Sequence, residues 1–418
     1  MKILHVIGSA NFSGGGVIEG ILSTSEVWGR HGVERDILSL DFDDAHCVVM
    51  SPVKMFGLSR SSSLNKLLWK YIPYLRYGYS SQFTKWLKEN VKEYDAVIIN
   101  GLWNYSSYGA WRVLHKLDVP YFVFPHGMLD PWMKSAYPLK ALLKKIYWLL
   151  FEQKVLRDAT AVFFTCEEER RLAAQSFSPY SARERVVGFG ARDVSGDPQT
   201  QINAFYQKAP STRSRKVMLF LGRIHQKKGI DLLIEAFARL ASDFSDWDVV
   251  IAGPDQVGLM SALKRRCDEL GISSRVSWTG MLEGDVKWGA FRAAEFFVLP
   301  SHQENFGVVV AESLALGRPV VITNKVNIWR EILEDGVGVV INDDVEGVER
   351  GMRAMLAMTV GQRKDMGTKG RATFLQRFDI EHNAMELIAT INELLPKYEV
   401  LKEDNLNKNS TKHAAANA

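Results

Sequence analysis

Cysteine is scarce. Cys47, Cys166 and Cys267 are scattered through 418 residues and form no C-x-x-C pair, which excludes a disulfide frame and a thiolate metal site and suits a reducing cytosol. No run approaches the ~18 continuous apolar residues of a membrane-spanning helix. The opening MKILHVIGSA carries one lysine and an apolar run too short for a signal-peptide core, so it reads as a first buried strand. Net charge is only +4, too little for the whole-chain field of a nucleic-acid binder. A dinucleotide fingerprint is missing as well. In SGGGVIEG, Gly14 and Gly16 are followed by Glu19 where the third glycine of G-x-G-x-x-G belongs.

Acidic residues are absent from two stretches, Ala45 to Lys88 and the segment between Asp130 and Glu152. The first interleaves Lys54, Arg60, Lys66, Lys70, Arg76, Lys85 and Lys88 with Trp69, Tyr71, Tyr74, Tyr77, Tyr79 and Trp86. The second reads PWMKSAYPLKALLKKIYWLLF. Basic residues with interfacial aromatics suit an anionic membrane surface, at ~1 kcal/mol per well-placed Lys or Arg. Two solvated helices with core aromatics would read the same way.

What is present is an alternation of short β-branched runs with longer helical patterns. Strands are expected at 2–8, 34–40, 95–100, 120–126 and 159–165, then at 215–223, 247–253, 275–280, 295–301, 318–324 and 337–342. Their continuous apolar character implies sheets covered on both faces, hence parallel α/β units. The expected fold class is α/β, with two Rossmann-like doubly wound domains facing each other across a cleft. The expected boundaries are an N-terminal domain at 1–195, a polar linker at 196–214, a C-terminal domain at 215–377, a C-terminal helix at 378–400 packing back on the first domain, and a disordered tail at 401–418.

Ligands of such sheets sit at the carboxyl ends of the strands. Two segments end strands there. In LFLGRIHQKKGIDLL, Arg223 and Lys228 flank a loop that Gly229 leads into a helix, a site suited to a diphosphate. In SHQENFGVVVAES, the amides of Phe306, Gly307 and Val308 begin a helix and would point at an anion. Glu304 and Glu312 cannot sit comfortably beside a phosphate but can accept from sugar hydroxyls, Glu304 from a hexose and Glu312 from a ribose. Eight helical residues span ~12 Å, about the reach across a diphosphate. His126, before Gly127 at a strand end, can face the same cleft, and Asp130 is a candidate acceptor-side carboxylate. The acidic D-x-D of DFD at 41–43 lies far from this set, and no metal is expected there.

These residues resemble the family-4 retaining glycosyltransferases of the GT-B fold. PSHQENFGVVVAESLALGRPVV looks like that family's E-x7-E region, and LGRIHQKKG is similar to its Arg/Lys diphosphate loop. SGGGV, PHG at 125–127, IAGPD and WTGML fall in the expected order. The resemblance implies a metal-independent hexosyltransferase without a cofactor, using a nucleotide diphosphate sugar of UDP or GDP type. It implies that Arg223 and Lys228 hold the diphosphate, Glu304 the donor sugar and Glu312 the ribose. Phe306, Gly307 and Val308 would offer amides to sugar and phosphate, and Met281 would meet the base through its backbone. Gly15 and Gly16 would approach the phosphates from the first domain, and His126 would lie near donor sugar and acceptor. The implied acceptor is a glycan or lipid-linked glycan, in exopolysaccharide or surface polysaccharide synthesis, at the cytoplasmic face of the membrane. An epimerase or a non-catalytic nucleotide-sugar-binding protein of the same fold are the alternatives. VVGFGARDV (186–194) replaces the family's Pro-Asn-Gly-Val-Asp-like turn, which bears on the hinge.

Overall fold

A computed structural model describes residues 1–11, 16–59, 77–132, 134 and 138–395. The predicted tail at 401–418 lies outside the described residues. Two parallel sheets carry the chain. The first contains β1 (Lys2–Ile7), β2 (Glu34–Ser39), β3 (Met55–Gly57), β4 (Ala96–Asn100), β5 (Tyr121–Phe124), β6 (Ala161–Phe164) and β7 (Glu184–Val186), in the order β3-β2-β1-β4-β5-β6-β7. The second contains β8 (Lys216–Leu221), β9 (Trp247–Ala252), β10 (Val276–Gly280), β11 (Ala294–Leu299), β12 (Val320–Thr323) and β13 (Gly338–Ile341), in the order β10-β9-β8-β11-β12-β13. β4, β5, β6, β9 and β12 are buried at every position, as strands covered by helices on both faces require. β3 and β7 were not expected. Each is a three-residue edge strand, too short to show a hydrophobic period.

In both sheets the strand order reverses beside the first strand, between β1 and β4 and between β8 and β11. These are the switch points where crevices open at the carboxyl ends of strands. Each main candidate segment leaves such a strand: the Arg223–Lys228 loop follows β8, and the Glu304 loop follows β11.

The segment 196–214, expected to be a linker, is instead structured. Asp197 caps a helix at Pro198–Lys208 by accepting from the Thr200 amide, with proline at the first turn. Buried Gln201 and Phe205 pack it on the helix Gly284–Ala293, where a Cβ on Gly289 would lie 1.9 Å from the Gln201 carbonyl oxygen. Its polarity reflects one solvated face. The chain crosses earlier, since Val187 belongs to the core of the first unit and Ala191 to that of the second. It returns between Phe378 and Ile380. The two crossings are tied by Ala191 N donating to Phe378 O at 2.8 Å and Ile380 N donating to Ala191 O at 3.0 Å. Gly190 allows that contact, because a Cβ there would come within 2.7 Å of the Ile380 backbone. The helix Ile380–Leu394 then packs on the first unit, and Trp28 Nε1 donates to Ala384 O at 2.8 Å.

Candidate active site

Between the two units lies a cavity of about 560 Å³. Arg223, Lys228 and Glu304 of the second unit and His126 of the first all line it. The cationic loop holds its shape through local bonds. His225 Nδ1 accepts from the Lys227 amide at 3.1 Å, forming a single 3-10 turn, Gln226–Lys228. Gly229 then adopts φ 62°, with Pro300 O only 2.1 Å from where a Cβ would sit. Only glycine lets the chain pass under the Glu304 loop at this point.

Lys228 Nζ donates to Glu304 Oε2. The Glu304 backbone is pinned as well, its amide donating to Lys325 O at 2.9 Å and its carbonyl accepting from Asn327 N at 3.1 Å. Arg223 donates to Gln256 Oε1 at 3.2 Å. Lys227, not singled out in the sequence, lines the cavity too, its ammonium 4.5 Å from the Trp132 ring centroid and 3.2 Å from Gln303 Oε1. Burial lowers the pKa of Lys227 and of His225.

His126 has φ 51°, an unusual backbone for a residue other than glycine, and its ring stacks on Phe124 at 5.2 Å. Its Nε2 lies 3.1 Å from Asn100 Oδ1, while Asn100 Nδ2 donates to Ile98 O at 3.1 Å and sits 3.2 Å from His5 Nδ1. The amide nitrogen faces a carbonyl, so the amide oxygen faces His126, whose Nε2 therefore carries the proton. Burial lowers the His126 pKa to about 4, which leaves the ring neutral. Gly127 donates to the buried carboxylate of Glu169 at 2.5 Å, and Thr165 donates to the same group from N and Oγ1. These bonds fix the His126 loop within the first unit, since Thr165 and Glu169 both follow β6. A Cβ on Gly127 would meet the Asn305 side chain at 2.8 Å, and Asn305 Nδ2 donates to Thr165 Oγ1 at 3.3 Å. Asp130 accepts from Gln303 Nε2 at 3.3 Å, another bond between the units.

Glu312 does not line this cavity. It lies in a smaller pocket of about 120 Å³ with Gly16, Glu19, Lys287, Trp288 and Val308. The helix starts only at Val308, so Glu304 is on the preceding loop and the expected helical spacing between the two glutamates does not apply. Glu312 Oε1 accepts from Lys287 Nζ at 2.6 Å while Oε2 has no partner among the described residues, and burial raises its pKa. Phe306 is buried, packed edge-on against Phe189 at 5.2 Å and Phe378 at 5.6 Å, beside both crossings. Only its backbone could serve a ligand. Gly307, φ 75°, is the N-cap residue of that helix. Met281 is exposed at the end of β10 and lines neither cavity. Gly15 lies outside the described residues. Asp41 is engaged structurally, accepting from Ser9 Oγ and Ala10 N, both at 2.7 Å. Among the described residues no group of three or more His, Cys, Asp or Glu could hold a metal ion.

Sequence reading missed Lys227, Gln303, Asn305, Trp103 and Lys144 in the main cavity and Lys287 in the smaller pocket. Lys227 and Gln303 were detectable as neighbours of chosen residues. Lys144, Trp103 and Lys287 come from distant segments, and only the fold brings them in.

The family profile described as Glycosyl transferases group 1 matches residues 202–373, and that of the Glycosyl transferase 4-like domain matches residues 15–190. Mannosylfructose-phosphate synthase of Agrobacterium fabrum is 25% identical over 272 residues, covering 59% of this chain and 57% of that enzyme. D-inositol 3-phosphate glycosyltransferase of Mycobacterium tuberculosis is 29% identical over 262 residues, covering 59% of this chain and 51% of that enzyme. The chain thus spans just over half the length of these curated relatives. Among solved structures, Anabaena Alr3699/HepE in complex with UDP and glucose superposes with a TM-score of 0.70 at 17% identity, covering 94% of this chain and 99% of that one. WaaG, a glycosyltransferase involved in lipopolysaccharide biosynthesis, gives 0.63 at 17% identity, covering 93% and 98%. With one profile on each half of the chain and the two-sheet fold beneath both, the chain belongs to the group 1 glycosyltransferases of the GT-B fold.

Proposed function

We propose that the protein moves a hexose from a nucleotide diphosphate sugar to a glycan or lipid-linked glycan acceptor, with retention at the anomeric carbon and without a metal. The observation that carries this reading is the convergence of Arg223, Lys228, Glu304 and His126 on one cavity between the units. Arg223 and Lys228 bind the diphosphate and stabilise it as it leaves, and Lys227 adds a third positive charge on the same loop. Glu304 accepts from donor-sugar hydroxyls, and neutral His126 orients a hydroxyl near the reacting carbon. The bond from the anomeric carbon to the phosphate oxygen breaks as the acceptor oxygen bonds from the same face. The acceptor proton goes to the departing phosphate oxygen. In the smaller pocket Glu312 binds the ribose, sharing its charge with Lys287. The amides of Phe306, Gly307 and Val308 meet the sugar and phosphate, Gly16 approaches from the first unit, and Met281 contacts the base through its backbone. HepE was solved with UDP-glucose, which supports a uridine donor as the first to try. The polysaccharide pathway and a site of action at the inner face of a membrane belong to the same proposal.

The test is nucleoside diphosphate release from a panel of UDP, GDP and ADP sugars, with and without membrane-extracted lipid acceptors. Acceptor-dependent release with one donor supports the reading. Donor conversion without any acceptor and without release points to an epimerase instead.

A further inference from the structure

The helix Pro138–Tyr147 and the π turn Trp148–Glu152 that continues it carry an apolar face that is exposed among the described residues. Leu142, Leu143, Ile146, Leu149 and Leu150 are between 44% and 68% exposed. Their spacing follows the helical period, so they form one outward stripe. A second face of the same element points inward, where Trp148 is fully buried and Tyr147 donates to the Tyr77 hydroxyl at 2.6 Å. On this element Trp148 and Tyr147 therefore face the first unit, and aliphatic side chains face out. This differs from the aromatic anchors the sequence suggested; of the first basic segment, 60–76 lies outside the described residues.

The stripe adjoins the site. Lys144, on the same helix, lies 4.6 Å from the Trp103 ring centroid, and both residues line the cavity that holds Glu304. Lys145 is exposed beside the leucines, and no carboxylate stands between Asp130 and Glu152, which is itself fully buried. An exposed apolar stripe with unbalanced positive charge is the composition of a helix lying in a bilayer interface. A second copy of the chain fits less well. Five aliphatic side chains fall short of the roughly 20–30 residues per side of a stable interface.

We propose that residues 142–150 dock the first unit on an anionic bilayer, which sets the mouth of the cavity at the headgroup layer and draws its acceptor from there. The proposal deepens the transferase reading and rests on it for the acceptor, but docking needs no turnover. Flotation of the full chain with phosphatidylcholine vesicles, and with vesicles that also contain phosphatidylglycerol, tests it. The chain floats with the anionic vesicles and less with the neutral ones, and salt weakens the difference. Leu142→Gln, Ile146→Gln and Leu149→Gln together lower partitioning about tenfold or more. Lys145→Gln lowers it about fivefold on anionic vesicles only. Leu143→Gln, at the most exposed position, lowers it in a chain whose melting temperature is unchanged. No flotation with either vesicle, or equal flotation of wild type and triple variant, overturns the docking surface. So does a wild-type dimer in solution that the triple variant abolishes, since a second copy would then be the occupant. Flotation without donor turnover would instead overturn the transferase reading and leave the surface standing.

Discussion

Lys228 and Glu304 stand 76 residues apart in sequence and pair in the cavity between the two units, the ammonium donating to the carboxylate. One leaves the strand β8 and the other leaves β11, neighbours in the second sheet. Switch-point topology thus sets a cation for phosphate beside an acid for hydroxyls.

This pair predicts non-additive losses. Lys228→Ala removes a donor to the leaving diphosphate and leaves Glu304 facing it unneutralised. Turnover should fall about 10²–10³-fold. Glu304→Gln should also lose most activity, yet the double variant should fall by less than the product of the two. Initial rates of diphosphate release for the four proteins measure the coupling, and strictly multiplicative losses would show the residues acting apart.

The smaller pocket separates stability from binding. Glu312 is held by Lys287, and Lys287→Ala leaves a buried acid unpaired. Thermal unfolding should show a destabilisation of about 3 kcal/mol. Lys287→Met with Glu312→Leu should recover much of that loss while donor affinity stays weak. Wild-type affinity in the double variant would remove Glu312 from the ribose.

Two histidines set a pH dependence of stability. Burial holds His126 down to about 4 and lowers His5 well below its usual value, with Arg35 adding to the effect on His5. An unfolded histidine takes its proton near pH ~6.5, before the folded one does. The stability His126 contributes is therefore complete above pH ~6.5 and is lost as pH falls toward about 4, and His5 acts in the same direction. His126→Asn, which tolerates the left-handed backbone, should flatten part of that decline in melts between those limits. A slope identical to wild type would mean that His126 is not held neutral by the fold.

Much of the fold was legible because buried parallel strands leave continuous apolar runs, and eleven such runs coincide with strands. Edge strands β3 and β7 were not, being too short to carry a period. The helix Pro198–Lys208 was hidden by its polar face, although Asp197-Pro198 is a start signal that could have been read. In the site, Arg223, Lys228 and Glu304 were readable because each follows a strand end. The position of Glu312 was not, because it depends on where the helix begins. That helix begins only at Val308, after Gly307 at φ 75°, and within it Glu312 meets Lys287. Lys144 and Trp103 join the cavity through the first unit's packing, which no local pattern announces.

The central claim is that a nucleoside diphosphate binds between Arg223 and Lys228. Calorimetric titration of UDP, and then of GDP and ADP, into wild type and into Arg223→Ala tests it most directly. The account predicts saturable binding of one of these to the wild type and a loss of about tenfold or more in the variant. Equal affinity in both proteins, or no binding of any of the three to the wild type, would contradict it.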